Sequence, residues 1–332
     1  MAKQKLLVLM DASDRSLDTL DYIRLVPPFT EMRITLFHVF TGVPDEFWDL
    51  GDHPLFNPET RELKDWEARK KYEVAVFMEK ARETLMAAGF QGGDIDINIQ
   101  PRNRGIARDI LDEAGKGYAA VVMRRRGAGA LEGIILGSVA QKLISALTFL
   151  PVIVAGRHPP GKKILIGVDG SKHSIRAVDY VGNIFGGRGY DVCLFHVIRG
   201  IGSFVPDMPD YMVLPEYVES ARLKMTKLFE TLRGKLISAG FRPEHILEKI
   251  TVLSGAIPSP RAGVMTYVGD TVMPTRSGVY SRAGAIVSEA EEEGYGTIVV
   301  GRKGLSAVKE FFMGRVSSKV IHGGRKFTVW VI

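Results

Sequence analysis

The hydrophobic pattern of the chain is a series of short, unbroken apolar runs separated by longer segments of helical period. Lys5–Met10 is a continuous apolar run, and Arg33–Phe40, Ala119–Met123 and Pro151–Ala155 are others. Such runs mark strands buried on both faces. Asp94–Gln100 alternates and reads as a strand as well. Between them, helical periodicity predicts helices over about 15–25, 60–88, 106–114 and 139–147, the second carrying Val74, Phe77, Met78, Ala81 and Leu85 on one face. Ser13 or Asp14 is placed to cap the first helix, Pro27-Pro28 stops it, and Gly89 ends the second. Strands alternating with helices predict an open parallel sheet covered on both faces.

The pattern then repeats. Asp169 follows Asp11 by 158 positions, and at that offset LLVLMDASDRSLDTLDYI lies on ILIGVDGSKHSIRAVDYV without a gap. Leu36-Phe37-His38-Val39 falls on Leu194-Phe195-His196-Val197, Ala87-Ala88-Gly89-Phe90 on Ser238-Ala239-Gly240-Phe241, and Gly117-Tyr118 on Gly294-Tyr295. Matches in the same order over the whole length indicate a duplicated domain, with a period too long for a solenoid. The expected division is 1–156 and 162–332, joined by a proline-rich linker at 157–161. The second copy carries about 26 extra residues near 254–280, rich in Gly, Pro, Ser and Thr. They read either as a surface excursion or hairpin, or as a lid over a ligand crevice. The last strands, Pro151–Ala155 and Phe327–Ile332, would be exposed apolar edges unless covered, so they are expected to pair and join the halves as a pseudo-two-fold pair.

Composition narrows the class. With 332 residues, 45% apolar and 25% charged, the chain is long enough for two globular domains with real cores. No apolar run approaches the roughly 20 residues needed to cross a bilayer. The opening apolar run is too short for a signal-peptide core, so the expected location is cytoplasmic. The single cysteine, Cys193, excludes an intrachain disulfide framework and reads as a buried packing residue. The net charge of +6 permits nucleotide binding and makes nucleic acid neither necessary nor the expected partner.

Candidate chemistry concentrates after the fourth strand of each copy. Gly301, Gly304 and Gly314 are spaced G-x2-G-x9-G, beginning directly after the apolar run Thr297–Val300. A strand that runs through glycines into a helix is a phosphate-cradle layout, because backbone N–H groups can approach an anion and the helix start favours negative charge. The first copy holds Gly127, Gly137 and Ser138, with Arg124 where the first glycine stands in the second copy. In the second copy Arg315 replaces the hydroxyl residue after the last glycine. Losing a hydroxyl removes one hydrogen bond, about 0.5–1.5 kcal/mol. Replacing a glycine needed for positive φ or close approach costs about 1–3 kcal/mol. The second site is therefore favoured. Arg126 and Lys303 stand before the second glycine and are the natural phosphate partners. Asp11 and Asp169 end first strands, where α/β sheets bind ligands; either caps the next helix or accepts hydrogen bonds from a nucleoside. His38 and His196 read as hydrogen-bonded core residues. No metal-ligand spacing, G-x-S-x-G elbow or Walker lysine is present.

Strand–Asp–x–Ser openings (Met10-Asp11-Ala12-Ser13 and Val168-Asp169-Gly170-Ser171) combined with the G-x2-G-x9-G closings resemble the universal stress protein family in tandem form, over both halves bar the insert. The resemblance implies two open five-stranded, parallel-sheet, Rossmann-like domains of the adenine nucleotide alpha hydrolase type. It implies ATP or a related adenine nucleotide as ligand, alone or with Mg²⁺. The adenosine side would be Asp169 and Val197, with Asp11 and Val39 in the first copy. The phosphates would lie on Gly301, Lys303, Gly304, Gly314, Arg315, Val316 and Ser317, and in the first copy on Arg126, Gly127, Gly137, Ser138 and Val139. The family divides into nucleotide binders and non-binders. Three readings stay open: a stress-response regulator that binds ATP without robust catalysis, a nucleotide-free interaction scaffold, and a weak ATPase. A homodimer is a further expectation from family pairing.

Overall fold

The computed structural model describes residues 3–42, 57–125, 136–157, 161–199, 215–253, 264–268, 271–275, 281–303 and 313–332. It divides into two compact units, Met1–Leu150 and Pro151–Ile332. In the first, the strands are β1 (Lys5–Leu9), β2 (Arg33–Phe40), β3 (Ile95–Pro101) and β4 (Ala120–Arg124). The helices are α1 (Leu17–Arg24), α2 (Asn57–Ala87), α3 (Ile106–Ala114) and α4 (Ser138–Ala146). All four strands are parallel, in the order β4-β1-β2-β3. The apolar runs pair as their composition requires: Leu6, Leu7 and Val8 of β1 lie opposite Ile34, Thr35 and Leu36 of β2 on one side and Ala120, Val121 and Val122 of β4 on the other. All of these apolar residues are fully buried.

The second unit begins with β5 (Val152–Ala155). Its further strands are β6 (Lys163–Gly167), β7 (Asp191–Arg199), β8 (Ile246–Leu253), β9 (Val264–Val268), β10 (Thr271–Thr275), β11 (Thr297–Val300) and β12 (Thr328–Val331). Its helices are α5 (Lys172–Phe185), α6 (Pro215–Ser238), α7 (Arg282–Glu292) and α8 (Arg315–Gly323). The order β8-β7-β6-β11-β12 is parallel and repeats the arrangement of the first unit. At one end β5 adds antiparallel to β12, with Ile153 opposite Trp330. Trp330 is fully buried and meets the rings of Tyr180 and Phe185 at 5.8 and 5.3 Å between centroids. At the other end, the inserted segment contributes a hairpin: β9 pairs antiparallel with β8, and β10 with β9. The hairpin alternative for the insert is thus present over the described strands, while 254–263, 269–270 and 276–280 lie outside the described residues.

In both units the strand order reverses beside the first strand, between β1 and β4 and between β6 and β11. That switch point opens a crevice at the carboxyl ends of the strands, where α/β proteins bind ligands. Asp11 follows β1 and Arg124 ends β4; Asp169 follows β6 and Gly301 follows β11. Among the described residues no helix is long and apolar enough to cross a membrane.

Candidate functional site

In the second unit the turn after β6 is built by Asp169-Gly170-Ser171. Gly170 takes φ +79°, the left-handed conformation that glycine adopts without strain. The turn closes as Asp169 Oδ1 accepts the Ser171 N–H at 3.0 Å. Ser171 then caps α5, its Oγ accepting the Ser174 N–H at 3.2 Å. The same hydroxyl donates to the Lys303 carbonyl at 3.0 Å, tying the glycine loop to the helix start. Asp169 is half-buried, and no described residue partners its second oxygen.

Gly301 makes this juncture possible. A Cβ there would lie 2.7 Å from Ser174 N and 2.8 Å from the His173 carbonyl carbon. Its φ is not in the left-handed region. The glycine is therefore required by the close approach of the α5 backbone rather than by positive φ. Downstream, Gly314 N–H donates to the Arg302 carbonyl at 2.7 Å, and Ser317 Oγ donates to the Gly301 carbonyl at 2.6 Å. Ser317 is buried, so its hydroxyl shapes the loop and only its N–H remains for a ligand. Gly314 is the N-cap of α8, with φ −71° and ψ 150°, and supplies no side-chain cap. Any residue can adopt that backbone, and a serine or aspartate there would cap the helix. The bare cap leaves the amides of Arg315, Val316 and Ser317 at a positively polarised helix end. Arg315 is exposed and Val316 half-buried.

The surroundings are cationic. Arg302 is fully buried, and burial followed by the charge of Arg176 brings its pKa down to about 10. Burial, then Arg176, Arg302 and Lys303, hold His173 below the ordinary histidine range, so it is neutral at pH 7. Its Nδ1 is buried without a hydrogen-bond partner among the described residues.

The first unit shows what happens without the glycine. Ala12 is forced to φ +57° where the second unit has Gly170. Ser13 turns inward, its N–H and Oγ–H both donating to Asp11 Oδ1 at 3.1 and 2.6 Å. The expected cap by Ser13 or Asp14 is absent: residues 14–16 form a 3-10 turn without a side-chain cap, and α1 starts only at Leu17. Arg124 stands where Gly301 does and pairs with Asp18 on α1 at 3.0 Å. The position matching Asp18 in the second unit is Arg176, so the cation there comes from the helix and has no ion-pair partner among the described residues. A positive field is neutralised in one unit and retained in the other. Gly137, the N-cap of α4, is as bare as Gly314, and its N–H donates to the Arg125 carbonyl at 2.7 Å. Ser138 and Val139 begin α4, both at its solvent-accessible start. Arg126, Gly127 and Gly304 lie outside the described residues.

Val39 and Val197 are buried, and neither ends its strand: β2 continues to Phe40 and β7 to Arg199, because β3 and β8 keep pairing through Pro101 and Leu253. The histidines before them are structural, as their apolar setting predicts. Each Nδ1–H donates to a backbone carbonyl, His38 to Met10 at 2.8 Å and His196 to Val168 at 2.6 Å. Burial, against the pull of those bonds, lowers both pKa values. Cys193 is fully buried, and burial pushes its thiol up to about 12. No group of three or more His, Cys, Asp or Glu side chains among the described residues could hold a metal ion.

A duplicated α/β unit with a glycine-capped helix at the sheet's switch point defines the class: a tandem Rossmann-like protein. The chain belongs to the universal stress protein family, whose model matches residues 3–155 and again 161–332. It is 27% identical over 182 residues to a universal stress protein of Mycolicibacterium smegmatis, a match covering 54% of this chain and 58% of that one. It is 29% identical over 164 residues to the universal stress protein YxiE of Bacillus subtilis, covering 45% of this chain and 97% of that one. A universal stress protein of Archaeoglobus fulgidus DSM 4304 shares its fold at a TM-score of 0.57 and 20% identity, over 98% of this chain and 97% of that one.

Proposed function

We propose that the chain is a stress-response regulator whose second half binds ATP or a related adenine nucleotide without robust catalysis. The observation that carries this reading is the bare, glycine-capped start of α8, set against a loop that Ser171 and Ser317 hold by hydrogen bonds to Lys303 and Gly301. α5 and α7 are capped by Ser171 and Ser281. α8 is not, and a helix start without a side-chain cap suits phosphate oxygens, with Lys303 on the same loop as a cation for them. The open oxygen of Asp169 suits a ribose hydroxyl or an adenine amino group. Mg²⁺, if carried, would be held mainly by the phosphates, as is usual for this hard, strongly hydrated ion.

Calorimetric titration with ATP tests the reading on wild type, Asp169→Ala, Gly314→Val, Asp11→Ala and Gly137→Val. A Cβ branch at Gly314 blocks backbone approach and should abolish binding. Asp169→Ala should weaken it by about 1–3 kcal/mol, the cost of unpaired polar groups. The first-half changes should have smaller effects, because Arg124 and the 3-10 turn already alter that site. Absence of ATP binding by wild type at millimolar concentration overturns the proposal, and an effect confined to the first-half variants overturns the ranking of the sites.

A further inference from the structure

The same sheet edge ends differently in the two units. In the second, β8 is covered: β9 lies antiparallel along it, with Thr251 opposite Thr266 and Val252 opposite Met265. In the first, the equivalent strand β3 pairs with β2 and with no other strand among the described residues. The offset that carries Phe90 onto Phe241 carries Asn98 onto Lys249 and Pro101 onto Val252. The two strands also keep one register on their neighbours, Ile95 opposite Ile34 and Ile246 opposite Val192.

β3 has backbone groups to offer on its outer side. Arg102 N–H donates to the Phe40 carbonyl of β2 at 2.8 Å. N–H groups alternate in direction along a strand, so those of Ile95, Ile97 and Ile99 point away from β2. None of the three has an acceptor among the described residues. Pro101 lacks a donor on this side and cannot repeat the pairing of Val252 with Met265. A partner strand must therefore centre nearer the start of β3.

An uncovered row of N–H and C=O groups is a template for another strand, and the side chains select which strand fits. Alternate positions read Asp94, Asp96, Asn98, Gln100 and Arg102, with acids at the start and a base at the end. Laid antiparallel on itself about Asn98, the segment sets Asp94 opposite Arg102, Asp96 opposite Gln100 and Ile97 opposite Ile99. Asp96 and Arg102 are exposed, and Arg102 forms no ion pair among the described residues. Gln100 Nε2 donates to Glu113 at 3.2 Å and keeps a second hydrogen for a further acceptor. This register uses β3 from end to end. Ile97 and Ile99 exchange both backbone bonds, and Pro101 falls at the margin, opposite Ile95. The matching segment of the second unit has no such polarity, since His245, Leu247, Lys249, Thr251 and Leu253 stand at the five positions.

We propose that β3 is the contact edge of a homodimer, formed when a second copy of this chain adds its own β3 antiparallel about Asn98. A strand with acids at one end and a base at the other complements itself in an antiparallel pair, so the copy satisfies both ends at once. The edge differs from the last strand of the second unit, β12, which β5 already covers. It also shares no residue with the nucleotide site assigned to the second half.

The test is sedimentation velocity of the full chain from about 1 to about 500 μM, the range that a contact of one strand pair calls for. Hydrogen–deuterium exchange of residues 95–101 is followed at both ends of that range. The proposal predicts that wild type passes from one chain to two as concentration rises, and that exchange of 95–101 slows over the same interval. Arg102→Glu sets like charges opposite each other and should weaken dimerisation at least about tenfold. Asp94→Arg/Arg102→Glu exchanges the charges and should restore it. Circular dichroism verifies that both variants are folded. A single chain at every concentration overturns the proposal, and so does exchange of 95–101 that ignores concentration. A dimer indifferent to Arg102→Glu, or a folded exchanged variant that stays a single chain, overturns it as well.

Discussion

Gly301→Ala is the smallest change that separates the two units' behaviour. The added carbon would sit 2.7 Å from Ser174 N, 2.8 Å from the His173 carbonyl carbon and 3.0 Å from His173 Cβ. Ordinary carbon contacts are about 3.5–4.0 Å, so β11 and α5 must part by up to about 1 Å. Two of the three neighbours are backbone, and α5 is anchored by buried Ala177, Val178, Val181, Ile184 and Phe185. The helix cannot swing away cheaply. Overpacking of this kind costs about 1–3 kcal/mol. For a unit of this size that corresponds to a fall of about 2–4 °C in melting temperature per kcal/mol. The displacement also stretches the Ser171–Lys303 hydrogen bond, so ATP binding should weaken along with stability. The assay is urea denaturation and ATP calorimetry of Gly301→Ala beside Arg124→Ala, the corresponding position in the first unit. Arg124 forms a partly exposed ion pair with Asp18, 17% and 45% exposed, so its removal should cost no more than about 1 kcal/mol. A Gly301→Ala protein that unfolds at the wild-type urea concentration and binds ATP equally well would refute the packing argument.

Three further outcomes follow from the described geometry. His38 and His196 have folded pKa values below the unfolded value of about 6.5. The unfolded chain then binds more protons, so stability should fall as pH drops from 6.5 toward the folded values, and His196→Asn should flatten that slope in thermal melts from pH 7.5 to 5.5. Lys249 and Glu289, 9% and 8% exposed, form a buried ion pair at 2.7 Å. Lys249→Met should cost about 3–5 kcal/mol in denaturant unfolding by stranding the carboxylate, whereas the joint change with Glu289→Leu should recover most of the loss. Cys193 should react with a thiol reagent only at the rate of unfolding, and rapid labelling of the native protein would contradict its burial.

Much of this was legible in the chain itself. The unbroken runs Leu6–Val8 and Ile164–Ile166 mark doubly covered parallel strands, and the repeated Leu-Phe-His-Val fixed the duplication. Histidine in an apolar strand implied a hydrogen-bonded core residue, and the structure supplies a backbone carbonyl as the partner of each. Features that depend on two distant residues were not legible. That Gly301 serves α5 rather than its own φ becomes visible only when β11 and the helix start are side by side. The exchange of Arg124 and Asp18 for Gly301 and Arg176 is scattered over more than a hundred positions in each unit. The missing Ser13 cap was not legible either: the hydroxyl donates to Asp11 in a turn where Ala12 takes φ +57°, and that geometry shows only in the folded chain. The insert's Gly, Pro, Ser and Thr content allowed a hairpin among its readings, but not the pairing of β9 with the edge strand β8, which depends on tertiary contact rather than on local propensity.

The most direct test of the central proposal, nucleotide binding by the second half, is native mass spectrometry of the freshly purified protein, with and without added ATP, beside Gly314→Val. The account predicts a mass shift matching an adenine nucleotide on wild type, retained on purification or gained on addition of ATP, and its loss from the second-half site in Gly314→Val. A wild-type spectrum that shows only the bare chain at millimolar ATP, or a Gly314→Val spectrum identical to a nucleotide-bound wild type, would contradict it.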